Sequence, residues 1–132
     1  MRALLMLLIG LAAGAICGSV ATRNMAMAHA YPRGVMAVLQ VRLSAAKREI
    51  ARAEQCDDDL VRGHFEAIDR FGAEIGPAIK SADDARKQEL VEIMRKASAA
   101  ASATASALPC AELGAVAKAV GDACNECHRE YR

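Results

Sequence analysis

Aromatic residues are scarce in this 132-residue chain, which has no Trp, two Tyr and two Phe. Proline is also scarce, with three residues, so long stretches are free of helix breakers. A β-sandwich would need more aromatic and β-branched residues, whereas Ala, Leu, Ile, Val and Met can build a helical core. The composition and length therefore favour a single all-α domain.

A strong net charge is missing as well. The chain has 17 Lys and Arg residues against 16 Asp and Glu residues, a formal net charge of +1. A nucleic-acid-binding surface would be strongly basic and clustered. We therefore expect no nucleic-acid partner.

The first 30 residues have the pattern of a secretory signal peptide. Arg2 precedes an uncharged apolar run over residues 3–21, and residues 28–30 (A-H-A) supply a site of small residues for cleavage. Residues 31–132 would then form a mature domain exported to the periplasm. A retained membrane anchor is the alternative, because the apolar run is about as long as a bilayer-spanning helix.

Apolar residues recur at helical spacing in four segments of the mature domain. The first pattern predicts a helix over residues 32–55, with Pro32 in its first turn. A second helix is expected to run to about residue 80, with a candidate break of its last turn at Gly76 and Pro77, and Ser81 is expected to cap a third. Residues 97–107, almost all Ala and Ser, should continue this third helix, because Ala is the best helix former. Four helices with short loops predict an up-down-up-down four-helix bundle.

The fourth predicted helix carries C-N-E-C-H over residues 124–128, the C-x-x-C-H pattern of covalent haem attachment. Thiols three positions apart lie on one helix face, where they can add to the two vinyl groups of one haem. The motif predicts one haem c per chain, attached to Cys124 and Cys127, with His128 as an iron ligand. A dithiol redox pair is an alternative usually found beside a βαβ unit. A zinc site would need further Cys or His ligands, and His64 is the only other histidine of the mature domain.

The C-terminal sequence resembles the class II c-type cytochromes, the cytochrome c′ family. Members of that family end with C-x-x-C-H-x-x-Y-R on the fourth helix of an exported four-helix bundle, and residues 124–132 match this pattern. The resemblance extends over roughly residues 31–132. It implies a covalent haem near the C-terminal end of helix 4, with Arg132 close to the proximal His128.

The sixth iron ligand separates electron carriers from gas-binding proteins in that family. Low-spin members use a Met of the first helix, and residues 31–36 (Y-P-R-G-V-M) are similar to the start of that helix. Met36 and His128 each lie about 6 Å from helix ends that meet in the predicted bundle. We therefore predict Met36 as the second axial ligand. Met94, about 18 Å along helix 3, is expected to lie too far away.

Arg33, within this segment, is a candidate partner for a haem propionate; a solvated surface arginine is the alternative. A thioether opposite an imidazole closes the iron to other ligands and raises its reduction potential. The alternative function is a five-coordinate haem protein that binds NO or CO, with Met36 as a core residue.

Two cysteines lie outside both the haem motif and the predicted signal, which contains Cys17. Cys56 falls between the first and second predicted helices, and Cys110 falls between the third and fourth. In the predicted topology both loops lie at the end of the bundle away from the haem. An oxidising compartment favours a disulfide between them, and two free thiols are the alternative.

Together these features predict a periplasmic c-type cytochrome that carries single electrons. No acid–base pair or nucleophile accompanies the haem motif, so we predict that the protein is not an enzyme. Its partners would be redox proteins, and it would contact a membrane only if the N-terminal segment were retained. The family resemblance also implies a possible homodimer.

Overall fold

The computed structural model describes residues 2–80 and 84–131, and these residues form helices and connecting turns without any strand. The helices are α1 (Arg2–Ile50), α2 (Asp58–Gly72), α3 (Ile75–Ile79), α4 (Ala85–Ala105) and α5 (Gly114–Glu130). Short 3-10 turns cover Ala53–Gln55 and Cys110–Glu112. The all-α prediction is therefore confirmed, whereas Ser81 and Arg132 lie outside the described residues.

The chain divides into two compact units, Met1–Arg33 and Gly34–Arg132. The described part of the first unit belongs to α1, and Arg33 at its end is exposed. Among the described residues, no helix has a stretch both long enough and apolar enough to cross a membrane. Cleavage of a signal peptide after residue 30 stays a prediction.

The start of the first predicted helix is wrong. α1 does not begin at Pro32 but at Arg2, and Pro32 lies inside it. The preceding residues are rich in Ala, Leu and Met, which are strong helix formers. Their helix propensity extends the helix to the N-terminal side of the proline.

The second predicted helix is interrupted before residue 80. α2 ends at Gly72, and α3 begins only at Ile75. Pro77 explains the break, because a proline ring clashes with the carbonyl four residues before it in a continuous helix, here that of Ala73. In the structure Pro77 instead falls within the first turn of α3, where a missing N–H group costs little.

Aspartates cap the N-termini of α2 and α4. The Asp57 carboxylate accepts a hydrogen bond of 3.0 Å from the Leu60 N–H group at the start of α2. The Asp84 carboxylate accepts one of 2.9 Å from the Lys87 N–H group at the start of α4. Each carboxylate satisfies a backbone donor that has no partner within its helix.

The core of the second unit is built mainly from aliphatic side chains, as the composition predicts. α4 packs against both α2 and α5. The largest fully buried side chains are Val61, Phe65, Ile68, Leu90, Ser98, Leu113 and Val120. The Ala- and Ser-rich segment is helical as far as Ala105 and buries Ser98 and Ala101. Its small side chains allow α2 to approach closely, and Gly72 faces Ser98 there.

The predicted pairing of Cys56 with Cys110 is confirmed. Their sulfur atoms lie at the disulfide-bonding distance of 2.04 Å, and their Cα atoms are 6.1 Å apart. The Asp58 carboxylate accepts a hydrogen bond of 2.6 Å from the Cys110 N–H group next to this bridge. The turn before α5 is thus joined to the start of α2 by a covalent bond and a hydrogen bond.

Candidate functional site

A cavity of about 580 Å³ in the second unit brings together four residues of the predicted haem site. Met36 contributes from α1, and Cys124, Cys127 and His128 contribute from α5. The apolar part of the wall consists of Leu39, Leu43, Ile75, Leu90, Val91 and Met94. The structure therefore brings Met36 of α1 and the end of α5 together at one largely apolar site.

Helical periodicity explains why the motif faces this cavity. Gly121, Cys124, Cys127 and His128 line it from one face of α5, because they are spaced about one helical turn apart. Tyr131, the residue after the helix, lines it as well. Cys124 and Cys127 are half-buried, and His128 is exposed. The face thus presents two thiols and one imidazole to the same space.

A second stripe follows α1 along the opposite wall. After Met36, the polar residues Gln40, Ser44 and Lys47 line the cavity at intervals of three or four positions. Lys47 reaches towards α5, because its Nζ atom lies 2.9 Å from where a Cβ atom would stand on Gly121. Sequence analysis missed these three residues, although their helical spacing from Met36 is a signal that could have found them.

Burial makes both thiols of the motif less acidic than usual. It raises the pKa of Cys124, and the positive charge of Lys47 only partly opposes this effect. It also raises the pKa of Cys127, and the nearby Glu130 carboxylate acts in the same direction. A reactive redox dithiol needs a lowered pKa. The electrostatics of this site therefore do not favour the dithiol alternative.

Met94 lines the cavity, contrary to the distance expected from the sequence. Its Sδ atom lies 3.6 Å from the Sγ atom of Cys124. α4 begins at Ala85 rather than near Ser81, so Met94 stands only about 14 Å along the helix. The C-x-x-C-H motif extends over a full turn of α5, so Cys124, its first cysteine, lies far enough along the helix to contact Met94. Met94 therefore lies closer to the motif than its predicted height on helix 3 indicates, and its exclusion as an iron ligand stays a prediction.

The last turn of α5 is joined to the first turn of α4. The Tyr131 hydroxyl donates to the two carboxylate oxygens of Asp84 at 3.0 and 3.1 Å. The Lys87 ammonium lies 5.0 Å from the centre of the Tyr131 ring. The Arg86 guanidinium also bonds Glu130 at 3.0 Å and lies 3.8 Å from Glu126. Sequence analysis missed this contact between the two helices.

A smaller cavity of about 400 Å³ shares several walls with the first. It is lined by Met36, Ile79, Lys87, Cys127, His128 and Tyr131. Both predicted axial ligands therefore border this second space as well.

Three further residues considered for the haem site lie in different parts of the chain. His64 is buried on α2, does not line either cavity, and its Nδ1 atom has no hydrogen-bond partner in the described part of the chain. Arg33 belongs to the first unit, and its pairing with a propionate stays a prediction. Arg132 lies outside the described residues, so its place beside His128 also stays a prediction.

Within residues 2–80 and 84–131, no three His, Cys, Asp or Glu side chains are grouped so that they could hold a metal ion by themselves. Comparison with protein-family models, curated proteins and solved structures finds no match to this chain. The resemblance to class II c-type cytochromes therefore rests on the C-terminal motif and the first-helix segment, and membership in that family stays a prediction.

Proposed function

We propose that this protein is a c-type cytochrome that carries single electrons through a haem attached to Cys124 and Cys127. The observation that supports it best is that Met36 and the C-x-x-C-H motif line one cavity of about 580 Å³. A thioether and an imidazole are the usual axial pair of electron-carrying c-type haems.

The cavity fits such a group in size and chemistry. Its volume falls within the range of about 300–1,000 Å³ that holds small molecules and cofactors, and its wall is mainly apolar. A porphyrin brings four nitrogen ligands of its own, so the chain needs to supply only the axial ligands. Haem c, when bound, supplies an iron couple that takes up and releases one electron.

Each residue of the site would have a distinct task. Cys124 and Cys127 would hold the haem covalently, His128 would bind the iron on one side, and Met36 would bind it on the other. The aliphatic side chains around them would exclude water and lower the local dielectric constant, both of which help to set a reduction potential. A neutral thioether ligand raises that potential.

The architecture proposed for this site is the up-down-up-down four-helix bundle. The second-unit part of α1, then α2, α4 and α5 would be its four helices, with α3 as a continuation of α2. Packing of α4 against both α2 and α5 supports this arrangement. Cofactor sites in such bundles are built from side chains on facing helices, as Met36 and His128 would be.

We also propose the biological setting that goes with this activity. The protein would act in the periplasm after export, exchange electrons with redox proteins and catalyse no reaction of its own. A homodimer is part of the same proposal. The disulfide between Cys56 and Cys110 supports an oxidising compartment.

Binding of a small gas such as NO or CO is the second candidate function. The smaller cavity favours it, because its volume of about 400 Å³ would admit a diatomic gas beside Met36 and His128. In this case Met36 would only line the wall, and the haem iron would be five-coordinate.

The test begins with expression together with a c-type cytochrome maturation system. Intact mass should show one covalent haem per chain, and the double variant with Cys124→Ala and Cys127→Ala should show none. A wild-type chain without covalent haem would overturn the proposal.

Optical spectra then separate the two functions. Met36→Leu is compared with the matched variant Met94→Leu, which changes the other methionine of the same cavity. For an electron carrier, the wild type is low-spin with a methionine-to-iron band, and only Met36→Leu loses this band and binds carbon monoxide readily. A high-spin wild type that binds carbon monoxide, unaltered by Met36→Leu, would establish gas binding instead.

A further inference from the structure

The end of α5 holds its position through a side chain that lies just beyond the helix. α5 ends at Glu130, and the Tyr131 N–H group still donates to the Cys127 carbonyl at 3.0 Å. His128 therefore stands in the last turn, where helices fray because their carbonyl groups lack partners. An imidazole in a fraying turn would not keep one orientation without a further constraint.

The Tyr131 hydroxyl supplies such a constraint through Asp84. Its two distances of 3.0 and 3.1 Å to the carboxylate oxygens lie within hydrogen-bonding range. Asp84 is itself fixed, because it caps α4 through the Lys87 N–H group at 2.9 Å. The Lys87 ammonium over the ring limits rotation of the tyrosine. The hydroxyl thus connects the end of α5 to the capped first turn of α4.

The neighbouring ion pairs are weaker candidates for this role. Arg86 bonds Glu89 as well as Glu130, and all three side chains are about half exposed. Ion pairs of this kind contribute little, because water and salt screen them. The Tyr131–Asp84 bond is part-buried, whereas the Arg86–Glu130 contact is exposed, so water screens the tyrosine bond less.

We propose that Tyr131 is a positioning residue that, through its hydrogen bond to Asp84, holds the His128 imidazole in the orientation needed to bind the haem iron. The inference rests on the proposed haem function and deepens it. Tyr131 lines both cavities together with His128, which lies three positions before it in the chain. Loss of the hydroxyl should therefore change the iron ligand first and the rest of the fold much less.

The experiment uses four variants of the haem-loaded protein: Tyr131→Phe, Asp84→Asn, the double variant of these two, and Asp57→Asn as the control. Tyr131→Phe keeps the ring and removes only the hydroxyl. Asp57→Asn makes the same change as Asp84→Asn at the cap of α2, where the carboxylate accepts a bond from Leu60 N–H. Asn remains a good cap, so both helices should persist.

One readout follows the His128 imidazole, and a second follows the helix turn that carries it. The hyperfine-shifted proton signals of the His128 ring report its orientation in low-spin and high-spin ferric haem alike. Amide hydrogen exchange of the last turn of α5 reports its opening. Tyr131→Phe should shift the ring signals and speed this exchange about tenfold, as expected for loss of a hydrogen bond to a charged group. Asp84→Asn keeps an amide oxygen that accepts from the hydroxyl without the charge, so it should change both readouts in the same direction but by less. The double variant should match Tyr131→Phe, since the bond is already lost when the hydroxyl is absent.

The control and the wild type separate the possible failures. Asp57→Asn should leave the ring signals and the exchange of α5 unchanged, and equal shifts in this control would overturn the positioning role. Unaltered ring signals in Tyr131→Phe would overturn it too, while the haem proposal would stand. A wild-type chain without covalent haem would instead show that the proposed function, and the inference with it, is wrong.

Discussion

Replacement of Gly72 by alanine should destabilise the second unit, although alanine usually stabilises a helix. A Cβ atom on Gly72 would stand 2.6 Å from the Oγ atom and 3.3 Å from the Cβ atom of Ser98. Ser98 cannot easily move away, because it is completely buried and its hydroxyl donates to the Met94 carbonyl at 2.9 Å. The clash would therefore force α2 and α4 apart.

The expected size of the effect follows from two opposing contributions. Overpacking a tight contact costs about 1–3 kcal/mol, and replacing glycine by alanine in a helix gains at most about 1 kcal/mol. The gain is smaller at Gly72 because it is the last residue of α2. We expect Gly72→Ala to lower the free energy of unfolding by about 1–2 kcal/mol. In a domain of this size, each kcal/mol lowers Tm by roughly 4–8 °C.

Gly63 offers a matched control on the same helix. It is exposed, and a Cβ atom there would meet nothing within 4 Å. Gly63→Ala should therefore raise the free energy of unfolding by about 0.5–1 kcal/mol. Adding Ser98→Ala to Gly72→Ala should recover most of the loss, because it removes the atom at 2.6 Å. Urea unfolding measures all of these variants, and a Gly72→Ala chain as stable as Gly63→Ala would refute the reasoning.

Two further predictions concern the disulfide and the buried histidine. Replacing Cys56 and Cys110 by serine should lower the free energy of unfolding by about 4 kcal/mol, because the bridge closes a loop with a sequence separation of 54. Equal urea midpoints for this variant and the wild type would contradict this prediction. Burial, aided by Arg42, holds the pKa of His64 below its ordinary value of 6.5, so the unfolded chain binds a proton more readily. Stability should thus fall as the pH drops from 6.5 towards the lower folded-state pKa, and His64→Gln should flatten this dependence in urea titrations at several pH values.

Local chemistry explains what could be predicted from the sequence. The C-x-x-C-H motif and its helix face follow from spacing alone, and the structure places that face in the cavity with Met36. The all-helical fold follows from the supply of Ala and Leu. The pairing of Cys56 with Cys110 follows from loop positions in the predicted topology. Each of these inferences depends on residue type and periodicity.

The missed features depend on contacts between distant parts of the chain or on competing local effects. Nothing near Tyr131 in the sequence indicates Asp84 as its partner, because two helices must first be packed side by side. The depth of Met94 depended on the start of α4, and a shift of a few residues moved it into the cavity wall. Pro32 has favourable chemistry for a first helical turn, but the helix formers before it extend α1 past that position.

The disulfide has a consequence for how the cavity assembles. Met36 and Cys124 must meet, and without a cross-link the intervening chain forms a loop of about 90 residues whose closure entropy opposes their contact. The bridge between Cys56 and Cys110 offers a shorter covalent path of about 35 residues, which reduces that entropic cost by about 0.8 kcal/mol. Oxidation of two cysteines outside the cavity thus brings its two walls closer together in the unfolded ensemble, before any cofactor is held.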